Sequence, residues 1–247
     1  MTPRTGDSPE DPIDIRMRYV AFCDVLGFSN AVQDRFDETI SIYAEFMKLM
    51  RSLPMPEKAE VSIYSDSILI VADDLPSILH AVKTLLFVIL MQDWMIRGGI
   101  AYGRYWEKRE NGHLFVVSDA LVRAVKLEKS VSHPAVAFSP EVELALNLWV
   151  ARFQHGALDA PVLHFNGLSF VNPFNPYWFA SAGMRASQLL ARFPEHEKKY
   201  KWFLALTEAV QRDDTLIPEP VLAELLKLGV LAPIEPNATT NETPSEV

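Results

Sequence analysis

Phe22-Cys23-Asp24-Val25-Leu26-Gly27-Phe28-Ser29 is the stretch from which the rest of the chain is read. The apolar residues Tyr19 to Phe22 predict a strand that ends on the Asp24 carboxylate. A glycine-containing turn follows, and a helical pattern starts near Asn30. Taken singly, an aspartate in such a place is more often a turn or cap residue than a ligand. A second carboxylate changes the weighting. Asp66 sits in the short hairpin-like stretch Ser62-Ile63-Tyr64-Ser65-Asp66-Ser67-Ile68-Leu69. Two strand-end carboxylates that meet suit one or two hard divalent cations handling phosphates.

Outward from this stretch, a strand is expected over 18–24. The apolar positions Val32, Phe36, Ile40, Tyr43, Met47 and Met50 then step by three and four, as in an amphipathic helix. Residues 60–64 and 67–71 predict an antiparallel strand pair, and Asp73 or Asp74 caps a largely apolar helix over 75–94. Arg97 to Gly103 is the fourth strand. The order βαββαβ is the split, ferredoxin-like α/β (α+β) arrangement. Residues 107–112 read as a charged turn, 114–117 as a strand, and Ser118 or Asp119 as the cap of the helix that follows. A strand is expected over 135–138 and a helix start at Ser139-Pro140-Glu141. Residues 156–178 read as loops around a strand at 162–165, with helices over 183–211 and 219–228.

Composition narrows the function classes. The chain has 247 residues, 49% of them hydrophobic, which is enough for one domain with a full core. Its net charge of −9 argues against a nucleic-acid partner bound through phosphates. One cysteine, Cys23, excludes an internal disulfide framework and a thiolate zinc site. The acidic, proline-broken residues 1–15 read as a flexible arm rather than a secretory signal. The longest apolar run, Leu85 to Met91, is too short for a bilayer, so no membrane partner is expected and the location reads as cytoplasmic. Residues 232–247 read as a disordered tail. The six histidines have no metal-binding spacing, and neither a nucleophile elbow nor a P-loop occurs.

In a βαββαβ sheet the end of the first strand lies beside the second hairpin. Asp24 and Asp66 then fall within one cation's reach, with the Val25 carbonyl beside them. The amides of Leu26, Gly27, Phe28 and Ser29 face a phosphate. Ser62, Tyr64 and Asp66 share one strand face by the two-residue period, so Ser62 and Tyr64 are the candidates to read a base edge.

Here the residues resemble a known family. "FCDVLGFS" is similar to the first metal motif of the class III nucleotidyl cyclases, and "SIYSDSILI" to the hairpin with their second metal aspartate. "IRGGIAYG", "SDALVRAVKLE" and "VAFSPEVELAL" resemble the following strand, helix and strand–helix, so the likeness spans about residues 18–150. It implies a cyclase catalytic domain over 16–155, with residues 156–231 packed on the same domain. It also implies two Mn²⁺ or Mg²⁺ ions on Asp24, Val25 and Asp66, attack of a ribose 3′-oxygen on the α-phosphate, and loss of pyrophosphate. Phe22 belongs to the nucleotide-binding stretch. The family forms its site between two subunits, which implies a homodimer.

The departures from the family pattern are specific. The asparagine position of the helix motif is Val122 and the arginine position is Lys126, so Arg123 or Arg97 is left to supply a missing phosphate donor. The base-selecting positions fall on Ser62 and Phe115, which matches neither the adenine nor the guanine pair. Bulky Tyr64 and Phe115 favour a smaller pyrimidine. "RGGIA", the helix ending in "KLE" and the late "KYKWF" look similar to the pyrimidine cyclases of Pycsar antiphage defence. That likeness implies a nucleoside triphosphate substrate, UTP favoured and CTP possible, and a cyclic UMP or cyclic CMP signal read by a separate effector. The competing readings are an inactive cyclase-like nucleotide-binding dimer and an adenylate or guanylate cyclase.

Overall fold

A computed structural model describes residues 13–214 and 216–231. The expected tail, and the expected arm apart from residues 13–15, lie outside the described residues. The chain runs β1 (Arg16–Val25), α1 (Phe28–Asp34), α2 (Phe36–Ser52), β2 (Ala59–Tyr64), β3 (Ser67–Ala72), α3 (Leu75–Met91) and β4 (Ile96–Glu110). It continues with β5 (His113–Ser118), α4 (Asp119–Ser130), β6 (Val136–Phe138), α5 (Leu146–His155), β7 (Val162–Phe165) and β8 (Leu168–Val171). Last come α6 (Phe179–Arg192), a 3₁₀ turn (Pro194–His196), α7 (Glu197–Gln211) and α8 (Glu219–Lys227).

The strands form one mixed sheet of order β2-β3-β1-β4-β6-β8-β7, with β5 beside the far end of β4. β1 is antiparallel to both β3 and β4, and β6 is parallel to β4. The first four strands and their helices therefore make the expected βαββαβ unit. Alternation along β1 sets what each face does. Ala21 and Cys23 point into the core under α2 and α3, where Phe46, Ile70 and Leu85 are buried. Val20 points to the other face, onto Ala120 and Ala124 of α4. A separate cluster built on Phe170, Phe174, Trp202 and Phe203 joins β8 to α6 and α7.

Five expectations need correction. The first helix is two, broken at Arg35, whose φ of −146° and ψ of 53° leave the helical region. The charged turn is mostly strand, because β4 runs to Glu110 and only Asn111-Gly112 turns. The helix expected at Ser139 begins instead at Leu146: the Glu141 side chain accepts from Arg123 Nε at 2.6 Å, and the Ser139 amide donates to the Ile100 carbonyl at 2.8 Å. The 156–178 stretch holds two strands, joined by Asn166-Gly167 at φ 51° and 77°, the dipeptide that favours a tight hairpin. Pro194 splits the helix expected over 183–211, since a proline removes a donor and crowds the preceding turn.

Candidate active site

The site starts from the register of β1. Asp24 pairs with Ser67 on one side and with Arg97 on the other. By alternation Asp24, Phe22, Arg97, Ser62 and Tyr64 all point to the face that carries α4, because Phe22 and Ser62 are both opposite Leu69. Asp66 does not continue that alternation. It belongs to the Ser65-Asp66 turn, where Ser65 adopts φ 58° and its carbonyl accepts from Tyr43 Oη. The turn is tied to the end of β1, since the Val25 amide donates to the Asp66 carbonyl at 2.9 Å. Ser29 Oγ donates to Asp66 Oδ2 at 3.3 Å. The structure thus brings Asp24, Val25, Asp66 and Ser29 to one end of the sheet.

Charge is concentrated there. Arg97 Nη2 lies 3.6 Å from Asp24 Oδ2, and Arg97 Nε lies 2.7 Å from Oε1 of the buried Glu128 on α4. Burial, then the nearby Asp66 and Glu128 carboxylates, push the Asp24 carboxyl above the ordinary carboxylate range, while Arg97 and Lys199 oppose the shift. A half-buried Asp24 with raised proton affinity, Asp66 beside it and hard oxygen donors around both suit Mg²⁺ or Mn²⁺. Such ions need only one or two protein carboxylates when phosphates supply the rest. Among the described residues no group of three or more His, Cys, Asp or Glu is placed to hold a metal unaided.

The turn that follows uses its backbone in two ways. The Leu26 amide donates to the Met95 carbonyl at 2.8 Å, so it is not free to face a phosphate as expected. Gly27, at φ 82°, opens α1 in the left-handed region, a conformation that glycine adopts without steric cost. Phe28 turns inward and meets Trp94 edge-on at 5.4 Å, which makes it a packing residue.

The expected donors on α4 lie elsewhere. Arg123 donates to the Tyr102 carbonyl at 2.7 Å and to the Glu141 and Asp119 carboxylates. Tyr102 is five residues along β4 from Arg97, or roughly 17 Å at the strand rise. Lys126 is exposed one turn after Val122, which is 53% exposed. Phe115 lies opposite Lys108 on the outer part of the β4–β5 ribbon and is 49% exposed. Within one chain, then, Arg123 and Phe115 do not join Asp24. Three residues near the site were missed in the sequence. Glu128 reads as a surface position on an amphipathic helix, while His196 and Lys199 approach through the C-terminal segment. "KYKWF" was the only local signal for that segment.

No protein-family model matches this sequence, and no curated protein is similar enough to match. Among solved structures, the adenylyl cyclase CyaB from P. aeruginosa is similar at TM-score 0.40 and 13% identity, covering 52% of this chain and 79% of that one. A monomeric guanylyl cyclase domain of the RhoGC fusion protein from the aquatic fungus Blastocladiella emersonii gives 0.43 and 14%, over 64% and 95%. A class III adenylyl cyclase-like ATP-binding protein from Pseudomonas aeruginosa gives 0.42 and 10%, over 69% of this chain but only 40% of its own. No helix among the described residues is long and apolar enough to cross a membrane.

Proposed function

We propose that this chain is a nucleotidyl cyclase whose catalytic domain is residues 16–155. It converts a pyrimidine nucleoside triphosphate, UTP in preference to CTP, to the 3′,5′-cyclic monophosphate and pyrophosphate. One observation supports the reading: the Asp66 turn is tied to the end of β1 beside Asp24, whose side chain shares the sheet face of Ser62 and Tyr64. The Asp24 and Asp66 carboxylates and the Val25 carbonyl would hold Mn²⁺ or Mg²⁺, which would supply Lewis acidity for the ribose 3′-hydroxyl and the triphosphate.

The chain's own residues supply position and charge. Ser29 orients Asp66, and Arg97 limits the repulsion around Asp24. Arg97 is also the guanidinium nearest the site. The Ser62 and Tyr64 hydroxyls each donate and accept, so they can read a pyrimidine edge. Lys126 and Phe115 are exposed on the α4 and β5 side of the molecule, where they can serve the site of a second copy. Arg123 stays with its three intramolecular partners and positions α4 on β4. We assign the product as a second messenger in antiviral defence, read by a separate effector. That assignment rests on the sequence likeness alone.

Incubating the purified protein with each of the four ribonucleoside triphosphates and Mn²⁺ tests this. Cyclic UMP as the main product is expected. Cyclic AMP or cyclic GMP as the main product overturns the pyrimidine assignment, and no cyclic product from any of the four overturns the enzyme. The inactive-dimer reading draws on Val122, whose apolar side chain stands where the family's polar donor would be. Nucleotide-dependent thermal stabilisation without turnover would establish it.

A further inference from the structure

The C-terminal helices approach the same end of the sheet as Asp24 and Asp66. Tyr200, Trp202 and Phe203 are buried and fix α7 to the body of the protein. The 3₁₀ turn before α7 then rests on the turn after β1. A Cβ placed on Gly27 would lie 3.3 Å from His196 Nε2. His196 and Tyr200, one helical turn apart, line a cleft of about 150 Å³ with Gly27 and Asn30. Lys199 lies between them in sequence and is half-buried, whereas its neighbours Lys198 and Lys201 are exposed. Lys201 pairs with Glu197 in the same helix.

Lys199 has a different environment. Burial and the nearby Arg97 disfavour its ammonium form, and Asp24 favours it, so it lies within reach of both Asp24 and Arg97. Arg97 keeps the buried Glu128 as a partner. With a divalent cation held at Asp24, Lys199 would face metal and guanidinium charge in place of a free carboxylate. A partly desolvated ammonium in that setting would favour an incoming anion. The anion that arrives with the metals is a phosphate chain, and a lysine is a compact point charge suited to holding one.

We propose that Lys199 is a triphosphate-binding residue, delivered by the C-terminal helices to the site of its own chain, with His196 seating the helix start on Gly27. This rests on the cyclase reading. It gives the segment after residue 155 a function: closing the phosphate side of the site and supplying a second phosphate donor where α4 has Val122 in the family's asparagine position.

Titration calorimetry of the full chain with Mn²⁺ and inorganic tripolyphosphate tests it. Lys199→Met should weaken binding at least tenfold, Lys199→Arg should stay within about threefold of wild type, and Lys201→Met should not differ from wild type. Lys199→Gln, read in the same way, replaces Lys199→Met if the latter melts early. Equal affinity for wild type and Lys199→Met overturns the role of Lys199, as does the absence of tripolyphosphate binding to wild type. The cyclase reading fails separately, on the four-nucleotide assay. A chain that makes no cyclic product, yet still loses tripolyphosphate affinity with Lys199→Met, keeps this inference and loses that one.

Discussion

At Asp24, fold stability and site chemistry pull in opposite directions. Its folded-state carboxyl binds protons more tightly than an ordinary carboxylate, because of burial first and then Asp66 and Glu128. The sign follows from linkage. Where the native state binds more protons than the unfolded one, stability falls as pH rises, here from the ordinary carboxylate value up through the raised one. At neutral pH the ionised Asp24 therefore works against the fold until a cation compensates it. Asp24→Asn should raise the metal-free melting temperature at pH 7, by roughly 2–4 °C if about 1 kcal/mol is recovered. The same substitution should remove most of the stabilisation that Mn²⁺ gives wild type, and also remove turnover. Thermal melts of both proteins, with and without Mn²⁺, check this; a variant less stable than metal-free wild type at pH 7 counts against it. The sequence singles out Asp24 by the apolar run it closes and Asp66 by the short hairpin whose turn it occupies. It does not single out Glu128 or Lys199. Their place depends on how α4 and α7 pack, and no local pattern records that.

Among the elements, α4 packs on β4 through small residues. Gly99 and Gly103 of β4 face Ala120 and Ala124 of α4, and the helix lies close enough that a side chain on Gly99 has no room. A Cβ there would sit 2.7 Å from the Ala124 carbonyl oxygen and 2.8 Å from Leu127 Cβ. Neither neighbour is a flexible side-chain end. Gly99→Val should cost about 1–3 kcal/mol, as overpacking does, and should lift α4 so that Glu128 loses Arg97. A lower denaturant midpoint with an unchanged slope, together with impaired turnover, is the expected result; a midpoint equal to wild type would contradict it. The element readings that failed have one cause in common. "SPEVE" carries a sound helix-start signal, but Glu141 is drawn to Arg123 eighteen residues away in sequence, and the helix waits until Leu146. Long-range contacts override local capping where the two compete. The 168–171 strand was missed for a simpler reason. Asn166-Gly167 is a local hairpin signal set among prolines and aromatics whose composition reads as loop.

For the whole molecule, the question is why the proposed donors face away from the carboxylates of their own chain. Arg123 is held by Tyr102, Asp119 and Glu141, and Lys126 is exposed one turn beyond Val122. Exposed beside them on the β4–β5 ribbon are Phe115 and Val117, the latter 70% exposed. On the cyclase reading proposed above, a second copy related by a twofold axis would complete the site, with Asp24 and Asp66 of each chain meeting Lys126 of its partner. Two inactive variants then complement each other. Asp24→Asn lacks the metal half of the site and Lys126→Met lacks the donor half, so each alone should show little or no turnover. In an equal mixture that exchanges subunits freely, half of the dimers are mixed, and one of the two sites in each is intact. About a quarter of wild-type activity should return. Purifying each variant alone, mixing them, and measuring cyclic nucleotide formation against the separate proteins decides the point. Recovery near that level requires sites shared between chains, while a mixture no more active than its parts would place both halves of the site within one chain.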